Sequence, residues 1–371
     1  MEQLDNNYKA FFALVKAGLW EIEVQLLPYG YIDFEEIIRL AEEQSVIGLV
    51  LAGAEHVSDM KVPQKYILTL ISRVIQIEQR NISMNLFVSE LIVKLRDVDI
   101  FSLLLKGQGI SQCYERPLWR MAGDIDLFMS DENYKKAVLF LSNLTIDIDE
   151  ENKYNKHLAM TIGPWKVELH GSLRGGLWGA IDSVLDEVQN EVLYHGAIRS
   201  WMNGTTQTLL LRADEDIIYV FAHVLQHFYQ KGVGLRQICD WCRLLWTFRR
   251  NIDSRHLELQ MHKMCVMREW KSFAAFVVEY LGMPIDSIPF YSSSIIWRQN
   301  AEKICDYVLT VGNFGLNISR LPSPHFVFVR KVLSFFEIIR YSFHHILYFP
   351  ISSIRFFLYQ VWIGLRMNIF N

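Results

Sequence analysis

Residues 124–130 read Asp-Ile-Asp-Leu-Phe-Met-Ser, acid and apolar alternating before an apolar run. In a strand, residues i and i+2 point to one face. Asp124 and Asp126 then project together, about 7 Å apart along the backbone, while Ile125 and Leu127 face a core. Like charges this close repel unless a cation neutralises them. The stretch therefore asks for a sheet with one apolar wall and one acidic wall.

Its surroundings supply the rest of such a sheet. "IFSLLLKG" (100–107) is a short apolar run suited to a buried strand, and "QGISQCYERPLWRMAG" is a loop. Ser130 is an N-cap, with Asp131 and Glu132 in the first turn of the helix that follows. That helix sets Tyr134, Ala137, Val138, Leu141 and Leu144 on one stripe. Three β-like runs come next, "LTIDID", "KHLAMTI" and "WKVELH". In the last of them Lys166, Glu168 and His170 share a face, with Val167 and Leu169 opposite. Glu168 on a neighbouring strand would complete an acidic trio. Asp147 and Asp149 repeat the Asp-x-Asp spacing, but they lack a preceding Gly-containing turn and run into a charged turn, so they read as a solvated strand edge.

The flanks are helical. "YKAFFALVKAGLW", "IDFEEIIRLAEEQSVIGLVLAGAE" and the long run from 65 to 98 show the helical period, as do "DEDIIYVFAHVLQHFYQ" and "LRQICDWCRLLWTFRR". The expected class is α+β. A helical N-terminal region would span 1–98, a mixed-sheet core 99–213, a helical C-terminal domain 214–324, and an apolar aromatic tail 325–371. In that tail Arg340 and Arg355 bracket an uncharged stretch broken by Pro350. It is too interrupted to span a bilayer. It reads either as a helix docked on the body or as a peripheral membrane or partner surface through residues 335–371.

Composition narrows the function classes. A net charge of −4 over 371 residues gives no global attraction to nucleic acid, so long nucleic acid is the least expected partner. Mean hydropathy is +0.13, not that of a membrane-embedded chain. "MEQLDNNYKA" has two acids in its first five residues and no apolar run after a basic start, so no signal peptide is expected. Five cysteines in irregular spacing suit reduced thiols in a cytoplasmic protein. Cys239 and Cys242 have no second pair to complete a zinc site and read as packed thiols.

The motifs "LLLKGQGI", "RPLWRMAGDIDLFM", "KVELHGSL" and "HVLQHFYQKGVGLRQICDW", in that order, resemble the bacterial nucleotidyltransferase-like family of the polymerase-beta-type superfamily. The similarity covers residues 30 to 245. It implies a small mixed nucleotidyltransferase-type sheet and Mg²⁺ (or Mn²⁺) held by Asp124 and Asp126. Glu168 would be the third acid, and Lys106, Gly107 and Gly109 would form the phosphate turn. Arg120 resembles the family's arginine and would contact phosphate, or else anchor a loop. The implied reaction moves a nucleoside monophosphate from ATP or another nucleoside triphosphate to an acceptor, whether small molecule, peptide or protein. The turn departs from the usual Gly-Gly or Gly-Ser, since Gln108 stands where a hydroxyl is common. A catalytically inactive binding or scaffold protein of the same fold is the alternative.

Five residues point at substrate. His223 and His227, four apart on a helix, share a face, but no glutamate lies between them to serve as a zinc-protease base. Arg236 and Asp240 are spaced to pair with each other or with substrate. His170 tunes Glu168, binds a ligand or packs at its strand end.

Overall fold

The computed structural model describes residues 5–230, 232–312 and 345–369. The α+β class is as expected. The sheet has seven strands: β1 Leu103–Leu105, β2 Ile125–Phe128, β3 Asp147–Ile148, β4 His157–Ile162, β5 Trp165–His170, β6 Ile198–Asn203 and β7 Thr206–Leu211, in the order β3-β4-β5-β2-β1-β7-β6. The central strand β2 lies parallel to β5 and antiparallel to β1. It is buried along its whole length, which is why its apolar run is nearly continuous. β3 is an exposed edge strand, so Asp147 sits where water solvates it.

Each face of the sheet has its own cover. Ile125 and Leu127 of β2, Val167 and Leu169 of β5, and Leu104 pack under α4 (Gln64–Arg96) and α6 (Asp131–Leu141). The Ser130 hydroxyl accepts from the Asn133 amide and starts α6. Phe128, Leu103 and Leu105 point the other way, into a second core. That core is shared by the N-terminal helices α1 (Asn6–Trp20), α2 (Phe34–Glu43) and α3 (Ile47–Glu55). It also takes in α7 (Gly179–Tyr194), α8 (Ala213–Gln230), α9 (Leu235–Phe248), α10 (Ser254–Lys263), α11 (Met267–Glu279) and α12 (Ile295–Val311). The two helical regions thus bury their apolar stripes in common. Cys239 and Cys242 are buried free thiols within it.

Two stretches were not foreseen. β6 and β7 form a hairpin that extends the sheet beyond β1, and α7 precedes it where no helix was expected. The loop after β1 holds a single short helix, α5 (Gly107–Ser111).

The tail forms a helix at Pro350–Ile369; residues 325–344, with Arg340, lie outside the described residues. One face of this helix is docked. Phe356 is 1% exposed with its ring 5.7 Å from that of Tyr229, and Tyr359 meets Tyr154 and Asp182. The other face carries exposed Ile351, Ile354, Leu358 and Leu365. Among the described residues no helix is long and apolar enough to cross a membrane.

The two faces predict opposite mutational responses. Phe356→Ala should lower stability by about 3–5 kcal/mol, the cost of emptying a packed aromatic site. Leu358→Ser, on the exposed face, should change it by no more than about 0.5 kcal/mol. Urea unfolding of the two variants checks this, and equal responses would refute the docked arrangement.

Candidate functional site

The acidic wall of the sheet faces a cleft of about 680 Å³, closed on the far side by α8, α9 and the C-terminal helix. That volume is in the usual range for a small-molecule site. The register of three strands builds it. Asp126 is opposite Glu168 across the parallel β2–β5 pair, and opposite Leu105 across the antiparallel β1–β2 pair. Lys106, the residue after Leu105, therefore arrives beside Asp126, with Nζ 3.0 Å from Oδ1. On the other side His170 Nε2 lies 2.8 Å from the same oxygen.

A carboxylate 2% exposed is costly unless paired. Burial alone would raise the Asp126 pKa, but the ammonium of Lys106 and the hydrogen bond from His170 hold it well below the usual range. Asp124, half-buried just before β2, goes the other way. Burial and the charge of Asp126 push it up to about 6 against the pull of Lys106. Glu168 is opposed by burial yet held at about 2 by His157, whose Nε2 is 2.9 Å from Oε2. Lys166 Nζ sits 3.0 Å from its other oxygen. Three carboxylates share one wall, and the wall draws a cation onto its most buried member.

The turn after β1 is strained. Lys106 has φ +49° and Gly107 φ +44°. Glycine tolerates this region; a lysine there is held by its surroundings. Gly107 lines the cleft. Gly109 does not line it: a Cβ there would lie 2.6 Å from a Leu210 methyl, so this glycine lets α5 approach β7. Gln108 also points inward, donating to Asn81 Oδ1 at 3.0 Å. The position of the missing hydroxyl is thus turned away from the cleft.

Arg120 and Asp240 find each other rather than the partners foreseen for them. The guanidinium binds Asp240 in a fork, Nε–Oδ1 2.7 Å and Nη2–Oδ2 2.6 Å, and Tyr114 donates to Oδ1 at 2.7 Å. Both side chains are buried and tie the loop before β2 to α9 at the edge of the cleft. Arg120 thus anchors the loop while also lining the cleft, and Asp240 pairs with Arg120 instead of Arg236. Arg236 is different. Among the described residues it makes no ion pair; its Nη1 donates to the Met121 carbonyl at 3.1 Å, and Nε is buried without a partner. Burial, then the neighbouring Arg120, lower its pKa, as for a cation lacking full compensation.

His223 and His227 lie on the helical wall with Nε2 atoms 2.9 Å apart, and both line the cleft. Burial, then the charge of Lys106, keeps His223 neutral. Burial likewise lowers His170 despite Asp126. Several cleft residues were not singled out in advance: His157, Tyr154, Arg174, Gln226, and Gln360 and Ile363 of the C-terminal helix. His157 had a readable signal. Its hairpin turns at Gly163-Pro164 with Ile162 paired to Trp165, so counting outward puts His157 opposite His170.

The profile of a family described as "Uncharacterised nucleotidyltransferase" matches residues 31–282. No curated protein and no solved structure matches the chain.

Removing the lysine tests the electrostatics of the wall. Lys106→Met should destabilise the metal-free protein by about 3 kcal/mol, because it takes away the ammonium that compensates a buried charge. Adding Mn²⁺ or Mg²⁺ should restore part of the lost melting temperature. An unchanged melting temperature in chelator would show that Asp126 does not depend on Lys106.

Proposed function

The chain belongs to this family of uncharacterised nucleotidyltransferases, and on that premise we propose that it moves a nucleoside monophosphate from a nucleoside triphosphate to a hydroxyl or phosphate of an acceptor, with Mg²⁺ or Mn²⁺. The observation that carries the reading is the convergence of Asp124, Asp126 and Glu168 on one cleft wall. The donor set fits the metal: three hard carboxylates, the most buried of which already attracts the Lys106 ammonium. Asp124, Asp126 and Glu168 would hold it, and bound there it supplies positive charge to the reacting phosphate and the departing pyrophosphate.

The remaining steps belong to the side chains. Arg236, uncommitted and facing the cleft, and Lys106, beside Asp126, offer positive charge to the triphosphate. An acceptor oxygen attacks the α-phosphorus, a hydroxyl acceptor giving up its proton to water; the new P–O bond forms as the bond to pyrophosphate breaks. Glu168, with His157 on one oxygen and Lys166 on the other, serves better as a fixed charge than as a proton acceptor. The Arg120–Asp240–Tyr114 knot positions the loop carrying Asp124 and leaves Arg236 free. His223, His227, Tyr154, Gln226 and Gln360 would line the acceptor's side. A binding protein without catalysis is the second reading; the inward Gln108 favours it, because it stands where a hydroxyl is common and its amide is turned to Asn81.

Calorimetry with each nucleoside triphosphate tests the proposal. Mg²⁺-dependent binding should appear for wild type and weaken at least about a hundredfold in Asp124→Asn/Asp126→Asn, the equivalent of ~3 kcal/mol for lost charged ligands. A folded wild type that binds no triphosphate would sink the transferase reading. Binding without release of pyrophosphate in any acceptor screen would favour the second.

The exposed face of the C-terminal helix is proposed as a peripheral membrane contact. Ile351, Ile354, Leu358 and Leu365 are exposed beside exposed Arg355 and Arg366, and the helix carries no acid, which suits an anionic lipid surface. Wild type should co-sediment with anionic vesicles, and Leu358→Glu/Leu365→Glu should not. Equal sedimentation of both would remove this assignment.

A further inference from the structure

The β4–β5 hairpin brings more than Glu168 to the cleft. Its register sets His157 opposite His170, with ring centroids 4.8 Å apart. Glu168 lies one pleat back on the face of His170. Ligand atoms of His157, Glu168 and His170 all fall within 4.8 Å of one another, and all three line the cleft. Their side chains are 27%, 13% and 11% exposed, open enough for an ion to enter and buried enough for it to be held.

This donor set differs in kind from Asp124 and Asp126. Two imidazoles with one carboxylate suit first-row transition ions, whereas Mg²⁺ prefers oxygen ligands and retained water. A second feature supports the assignment. Asp126 hydrogen-bonds the His170 ring at 2.8 Å, as outer carboxylates do when they orient metal-bound histidines. All three line the cleft, and three protein ligands leave a position for water or a substrate oxygen, as in catalytic zinc sites.

We propose that His157, Glu168 and His170 form a binding site for a first-row transition ion such as Zn²⁺ or Co²⁺, adjacent to the Asp124–Asp126 pair and distinct from it. Glu168 is the carboxylate the two sites have in common. An ion on the histidine side would fix Glu168 and leave the aspartates to the harder cation that accompanies a triphosphate. The site does not depend on nucleotidyl transfer being the reaction.

The test uses metal-free full-length protein and Co²⁺, without nucleotide, followed by visible d–d absorption. Wild type should take up one Co²⁺ at micromolar concentration, with band intensity typical of a low-coordinate site. His157→Ala should weaken uptake at least about tenfold, the lower end of the losses typical even of outer-shell changes at a metal site. His157→Gln, which keeps a hydrogen bond to Glu168 but gives up the imidazole, should show the same loss with the fold intact. Asp124→Asn should bind Co²⁺ as wild type does. Absence of the band in wild type, or wild-type affinity in both His157 variants, would overturn the proposal. Loss in Asp124→Asn with retention in His157→Gln would also overturn it, by placing the ion on the aspartates. None of these outcomes bears on the nucleotidyl-transfer reading, which triphosphate binding tests separately.

Discussion

The arrangement turns on one buried charge, the Asp126 carboxylate at the centre of the sheet. A carboxylate this deep costs several kcal/mol unless cations and donors meet it, and the nearby structure reads as the means of meeting it. The antiparallel register of β1 with β2 ends with Leu105 opposite Asp126, so the next residue is the one that can reach the carboxylate. That residue is Lys106, and its left-handed backbone is the local cost of turning the chain there. On the other flank, parallel β5 delivers Glu168 opposite Asp126 and His170 two residues on. A sheet with β2 at its edge would have let water solvate Asp126 and would have had no need for these neighbours. The same features that make the carboxylate tolerable make it a place where a mobile cation is welcome.

The chemistry of the wall was legible because it is local. Asp124–Asp126 and Glu168–His170 are i, i+2 pairs, and strand periodicity alone puts each pair on one face. Ser130 could be read as a cap from its neighbours. What was not legible depends on distant pairing. Arg120 and Asp240 are 120 residues apart, and no spacing rule says that a guanidinium before β2 will claim a carboxylate on α9. Gly109 looked like part of a phosphate turn because Gly-x-Gly invites that reading. Its requirement is the side chain of Leu210 on a strand that was not foreseen at all. Yet that strand's hairpin had a strong local signal, Asn203-Gly204 between two β-prone runs. That stretch lay inside the expected core, 99–213, without being singled out as a pair of strands.

The C-terminal helix explains why the acceptor is harder to infer than the reaction class. It contributes Gln360 and Ile363 to the cleft, and its hold on the body is specific. Tyr359 and Tyr154 share Asp182, whose carboxylate also accepts from the Gly175 and Gly176 amides. These contacts join the end of the chain to the loop after β5, the loop that continues from the acidic wall. The acidic side of the cleft is therefore made by adjacent strands, and the opposite side by α8 and a segment more than a hundred residues further on. Adjacent strands follow a period that sequence reveals. The opposite wall is assembled by aromatic packing of Tyr229, Phe228 and Phe356, which any apolar helix could imitate. If the two walls divide the work in this way, nucleotide handling belongs to the sheet and acceptor choice to the helices. The helix that completes the opposite wall is also the one with an uncovered apolar face, so whatever that face meets is placed within one helix diameter of the cleft.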